Sequence, residues 1–277
     1  MAFPVYQASQ TSSNSTASTT QTVDLPASIV SGEKLIIALG LPSNETATTP
    51  SGWTLEESAN SSSTKLFIFS RIADGAEGSS VDITTGGSVA SIAIAYRIFS
   101  NNDTVYSTIN TDSSDATPEP SILNPGTTDE YLWLTIILVP DDENGGNNTV
   151  SAFPTNFSSN QVNFGVDAGV LDMRIASATY NSEVSSLTPG TWTLFSVYNV
   201  VMATIAIEGQ DVAVGNFSLL SSDSTILQPA IDFAADASFG LLTSTSQILD
   251  PSATTSNKTN WTNESKPSTT WSNEQEL

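Results

Sequence analysis

This chain of 277 residues has no cysteine and no histidine, and only seven lysines and arginines against 29 acidic residues. Each absence removes a class of chemistry. Without cysteine there is no disulfide framework and no thiolate nucleophile. Without histidine there is neither an ordinary zinc site nor a Ser-His-Asp relay. A formal net charge of −22, with no basic patch, repels phosphate backbones, which excludes nucleic acid as a partner. No apolar run approaches the roughly 18–20 residues of a membrane-spanning helix, so no membrane partner is expected. The opening MAFPVYQASQ lacks a basic stretch followed by an apolar one, so synthesis in a cytoplasm without a secretory leader is expected.

What the chain has is 38% hydrophobic residues and only 13% charged ones, so most of its surface is Ser, Thr, Asn and Gln. Lysine is confined to Lys34, Lys65, Lys258 and Lys266. Such acidity suits a halophilic setting, where carboxylates keep the surface hydrated and salt screens their repulsion; compositional bias of the host explains it equally well.

The pattern of the first two-thirds is used twice. One set of segments runs SGEKLIIALGLP, TPSGWTLEE, STKLFIFSRIA, GSSVDITT and VASIAIAYRIF; the other runs TTDEYLWLTIILVP, SAFPTNFSS, VLDMRIASATY, GTWTLFS and VVMATIAIEG. Each set opens with an acid, Glu33 or Glu130, ahead of an apolar strand. Each places a proline before an aromatic, Pro50 before Trp53 and Pro154 before Phe157. Turns recur every 8–15 residues with no helical period between them, which predicts an all-β sandwich or barrel. Lys65–Ile72 carries apolar groups on both faces and is expected to lie between two layers. Met1–Gln7 and Thr22–Leu25 read as short strands separated by a polar Ser/Thr/Asn tract, Ala8–Thr20, expected as a loop or a frayed edge. Asn101–Gly126 reads as a linker with an edge strand around Val105. The expected division is a body over 1–209, an irregular apolar extension over 210–250 and a polar arm over 251–277, in which Trp261 and Trp271 stand out as partner anchors.

Candidate chemistry is sparse. Paired carboxylates such as Glu56-Glu57 arise readily in so acidic a chain, and no enzyme is expected. The stretch Asp141-Asp142-Glu143-Asn144-Gly145-Gly146-Asn147-Asn148 offers hard oxygens and glycines that could hold Ca²⁺, although it lacks EF-hand spacing; a solvated hairpin is the plainer reading, and no cofactor is required. Trp53 is either a stacking platform for a sugar ring or a core plug. The loops Asn44–Trp53, Asp141–Asn148 and Asn156–Gln161, with Asn156 among the candidate binding residues, are the candidate contact surfaces.

The segments DLPASIVSGEKLIIAL, TPSGWTLEE, KLFIFSRIADGAEGSSVDIT, IAIAYRIF, DEYLWLTIILV, SAFPTNF and GTWTLFSVYNVVMATIAI resemble a family of jelly-roll β-sandwich virion proteins of tailed phages and archaeal tailed viruses. The resemblance covers roughly Phe3–Gly209 and carries no catalytic residue. It implies a jelly-roll-like antiparallel sandwich of two similar strand sets with an extended C-terminal arm. It further implies a tail-fibre, receptor-binding or head-decoration component, located in the virion. Partners would be other virion proteins, copies of itself (a trimer favoured) and a host surface glycan. The alternative, from a different class, is a free carbohydrate-binding or adhesion module.

Overall fold

The computed structural model describes residues 2–99, 101–140, 150–166 and 173–210, all within one compact unit, Met1–Gly215. The apolar 210–250 stretch beyond Gln210 and the arm with Trp261 and Trp271 lie outside the described residues. The first half of the body supplies β1 (Val5–Asp24), β2 (Lys34–Pro42), β3 (Thr54–Asn60), β4 (Thr64–Ile72) and β5 (Ser80–Phe99). The second supplies β6 (Asn101–Asp115), β7 (Asp129–Pro140), β8 (Val150–Ala152), β9 (Ser159–Val166), β10 (Met173–Val184), β11 (Thr193–Leu194) and β12 (Tyr198–Gly209).

The body is an antiparallel β-sandwich made of two equivalent sheets, ordered β1-β5-β2-β4-β3 and β6-β12-β7-β10-β9. Each sheet takes all five strands from one half of the chain. The equivalence extends to register. Lys34 lies opposite Ile98 and Ile72, and Gly40 opposite Ile92 and Leu66. Leu132 lies opposite Ile207 and Asn181, and Leu138 opposite Val201 and Ile175. Lys34 and Leu132 are therefore counterparts, as are Gly40 and Leu138. Even the irregularities repeat: β3 slips by one residue against β4 between Leu55 and Glu57, and β9 slips against β10 at the corresponding place.

The sheets face each other so that β3 meets β6, β4 meets β12, β5 meets β10 and β1 meets β9. That reversed order is what a pseudo-two-fold axis between β2 and β7 requires. Between the sheets lies one core, built from Ile36, Ile68, Ile94, Leu134, Ile136 and Ile205 among others. Close approach at the centre depends on Gly40, where a methyl group would fall 2.6 Å from Leu138 Cδ1 and 2.8 Å from Ile92 Cγ2.

The outer faces are covered too. On the first sheet Leu35, Ile37 and Leu39 pack under Val23, Leu25, Trp53 and Ile83. On the second, Ile137 and Val139 pack under Val150, Trp192 and Leu194, and Trp133 under Phe157 and Leu123. This explains why β2 and β7 read as unbroken apolar runs, since strands buried on both sides lose the alternation. It also accounts for Leu66–Phe69, all buried, in the strand expected between two layers.

The Ser/Thr/Asn tract expected as a loop or a frayed edge is the middle of the 20-residue edge strand β1, paired along its length rather than frayed. Two breaks in its pairing with β5, at Asn14/Ser18 and Ser18/Thr20, let the strand turn back over its own sheet. The fold-back is held by Ser12 Oγ accepting from the Asp24 N–H at 2.9 Å and by Asn14 Nδ2 donating to the Thr22 carbonyl at 3.2 Å. Hydroxyl and amide side chains are what such a fold-back uses, so the polar composition that suggested a loop serves a bent edge strand. The mid-chain stretch Asn101–Gly126 carries the expected edge strand, which is longer than the residues around Val105 and makes up β6.

Candidate functional site

Each half carries a Pro-x-x-aromatic turn ahead of its edge strand. The Trp53 N–H donates to the Pro50 carbonyl at 3.1 Å, and the Phe157 N–H to the Pro154 carbonyl at 2.8 Å. In the first turn Gly52 sits at φ +79°, the left-handed position that a type II turn gives to glycine. Both aromatics point inward, with Trp53 8% exposed and Phe157 fully buried. Trp53 is thus a core plug of the outer layer. Only its rim borders a shallow cleft of about 270 Å³, walled by Pro50, Arg71, Glu77 and Asp82. The guanidinium there is neutralised from within, at 2.6 Å from Asp74 and 3.5 Å from Glu77. Asn156 is an exposed residue of the second turn. Asp141, Asp142, Glu143, Asn144 and Asn147 lie outside the described residues, and with them the Ca²⁺ expectation. Among the described residues no cluster of three potential metal ligands occurs.

The sharper features are the two seams where an edge strand of one sheet meets an edge strand of the other. At the β3/β6 seam Lys34, 4% exposed, stretches across and donates from Nζ to the Asp103 carbonyl at 2.7 Å. Burial lowers its pKa, opposed by the Asp103 and Glu56 carboxylates. Glu56 itself accepts a hydrogen bond from the Ser70 hydroxyl. This seam is closed by a charged side chain.

At the β1/β9 seam the counterpart of Lys34 is Leu132, and the space is open. A cleft of about 290 Å³ remains, floored by Leu132 and flanked by Val5 and Tyr6 from β1. Its opposite wall is polar but uncharged: Ser159, Asn160, Thr179 and Asn181. Asn160 stands at φ +50° in the slipped part of β9, a left-handed conformation that asparagine tolerates. Its Nδ2 donates to Thr179 Oγ1 at 2.8 Å, and that hydroxyl donates to the Ser159 carbonyl at 3.3 Å. Tyr6 turns its hydroxyl to Ser9 Oγ at 2.8 Å. Among the described residues the Asn181 amide and the Ser159 hydroxyl make no hydrogen bond, so both remain available.

Of the residues picked out from sequence, Trp53 and Asn156 fall at equivalent turns in opposite halves and are not brought together. The seam residues were not picked out, except that Ser159 and Asn160 lie in the loop Asn156–Gln161. The signal existed in the doubled pattern: once Pro42 is matched to Pro140, Lys34 falls on Leu132, and a cation against an aliphatic at one buried position marks a divergence. No protein-family model, no curated protein and no solved structure matches this chain.

Proposed function

We propose that this protein is a surface structural component of a tailed virus particle, a module of a tail fibre, receptor-binding tip or head decoration that works by assembly and contact. The observation that carries the reading is the doubled, self-covered sandwich. The central strands of both sheets are buried on both faces under the chain's own residues, which leaves a block whose edge strands, loops and turns face outward. Such a block suits the display of weak contacts in several copies, where avidity supplies the strength. The acidic, lysine-poor surface favours dispersion of the particle. Trp261 and Trp271, in a polar segment, are the residues suited to anchor a neighbouring virion protein or another copy, and a trimer is the proposed state.

The test is immunogold electron microscopy of purified particles with antibody against residues 3–209. Label at the tail tip supports receptor engagement, and label over the head supports decoration. Particles without label overturn the virion reading and leave the free adhesion module.

A further inference from the structure

We propose that the open β1/β9 seam is a binding site for a single neutral sugar ring. The inference deepens the host-contact part of the reading above and rests on it for its biological setting, although the chemistry belongs to the isolated chain.

The molecule provides its own control. At the equivalent β3/β6 seam the same framework positions are occupied by Lys34, Val105, Ser70 and Ile72, and the space is bridged by the buried lysine reaching the Asp103 backbone carbonyl. At the β1/β9 seam Leu132 stands for Lys34, Tyr6 for Val105, Thr179 for Ser70 and Asn181 for Ile72. The exchange removes the cation, shortens the plug and adds an amide. What results is a cavity with an apolar floor and an amide and hydroxyl wall. It holds no formal charge, in a chain whose net charge is −22.

Those properties select a ligand class. A phosphate or carboxylate ligand would find no cation there and a repelling protein around it. A cationic ligand would find no carboxylate in the lining. A pyranose has one face of C–H groups, suited to Val5, Leu132 and the Tyr6 ring, and a rim of hydroxyls that both donate and accept. The unpaired Asn181 amide, the Ser159 hydroxyl and Asn160 Oδ1 supply complementary partners. A volume of about 290 Å³ lies at the lower end of small-molecule sites, which fits one ring and not an extended chain. Asn160 is pre-positioned: its amide nitrogen is tied to Thr179 at 2.8 Å, which holds the side chain in the lining of the cleft.

The experiment is saturation-transfer NMR on the full chain with methyl glycosides of glucose, galactose, mannose and N-acetylglucosamine, followed by titration of whichever responds. At least one should bind, weakly and saturably. Asn181→Ala and Asn160→Gly, the latter keeping the left-handed backbone, should each lower affinity by about tenfold, the effect of losing one or two hydrogen bonds. Both positions are exposed, and an unchanged thermal unfolding curve verifies the fold. Asp82→Asn, in the Trp53 cleft, should leave affinity unchanged. Absence of binding to all four glycosides overturns the proposal, as does binding that survives both seam substitutions or falls equally with Asp82→Asn. Sugar binding by a chain that labels no particle would sink the virion reading alone; labelled particles with no sugar binding would sink this inference alone.

Discussion

The two halves share a frame and fill it differently. In the first, buried Glu33 accepts from Arg97 Nε at 2.8 Å and from the Val30 N–H at 2.9 Å, so an ion pair closes one end of the sheet's outer layer. In the second, the counterparts are Tyr131 and Ala206, and an aromatic group replaces the ion pair, with Tyr131 centred 5.4 Å from Trp133 and 6.1 Å from Tyr106. Between the sheets, Tyr96 faces Ser177, their hydroxyls adjacent without a well-formed hydrogen bond. The symmetry-related positions are Ile205 and Ile68, both in the same core. Strand order, register and even the slipped residue are held constant, whereas charge, aromaticity and side-chain size are not. The frame needs a given volume with its polar groups matched, and more than one chemistry meets that need.

The comparison can be broken most forcefully at the ion pair. Arg97→Met leaves the Glu33 carboxylate buried with its strongest partner gone, and should destabilise the protein by about 3 kcal/mol. Adding Glu33→Gln, which removes the stranded charge, should recover part of that loss in urea unfolding. Equal losses for the single and double substitutions would mean the pair acts through packing alone.

Next in size is the contact between counterparts on the pseudo-axis. Gly40→Ala should cost about 1–2 kcal/mol in the native chain because Leu138 and Ile92 must give way. With Leu138→Val already in place the same substitution should be neutral or stabilising, since alanine in a strand is favoured over glycine once space exists. A double-mutant cycle without coupling would show that the sheets approach less closely here than the structure has them.

The smallest effect concerns Tyr96. Burial raises its pKa, so above the ordinary tyrosine value near 10 the unfolded chain releases a proton that the folded protein retains. The folded state then binds more protons, and its stability falls as pH rises through that range. Tyr96→Phe should change stability by no more than about 1 kcal/mol at neutral pH. It should also flatten the alkaline decline. Parallel wild-type and variant curves between pH 9 and 11 would refute the assignment.

Much of this frame was legible. The doubling, the all-β class and the double burial of β4 follow from period-two patterns and repeated turns. What misled was register. Glu33 and Glu130 look like matching acids, yet a one-residue slip exchanges the faces of a strand, and pairing shows Glu33 to match Tyr131. The polar β1 was illegible for a different reason: only Ser12, Gln21 and Val23 of its twenty residues are buried, so no apolar alternation records it as a strand. The seam cleft depends on which edges meet across the sandwich, which no local pattern encodes.

Gly40 and Leu138 have a consequence for partner choice. Because they are counterparts that touch, they sit on the axis relating the halves, and they are as unlike in size as two aliphatic positions can be. Two first halves brought together would set glycine on glycine and leave an empty space at the middle of the interface. Two second halves would drive leucine into leucine. Only the unlike pairing fills the centre, so the sandwich discriminates between like and unlike halves at a single point. The rule fixes which half meets which, and it is met equally well when the first half of one chain meets the second half of another.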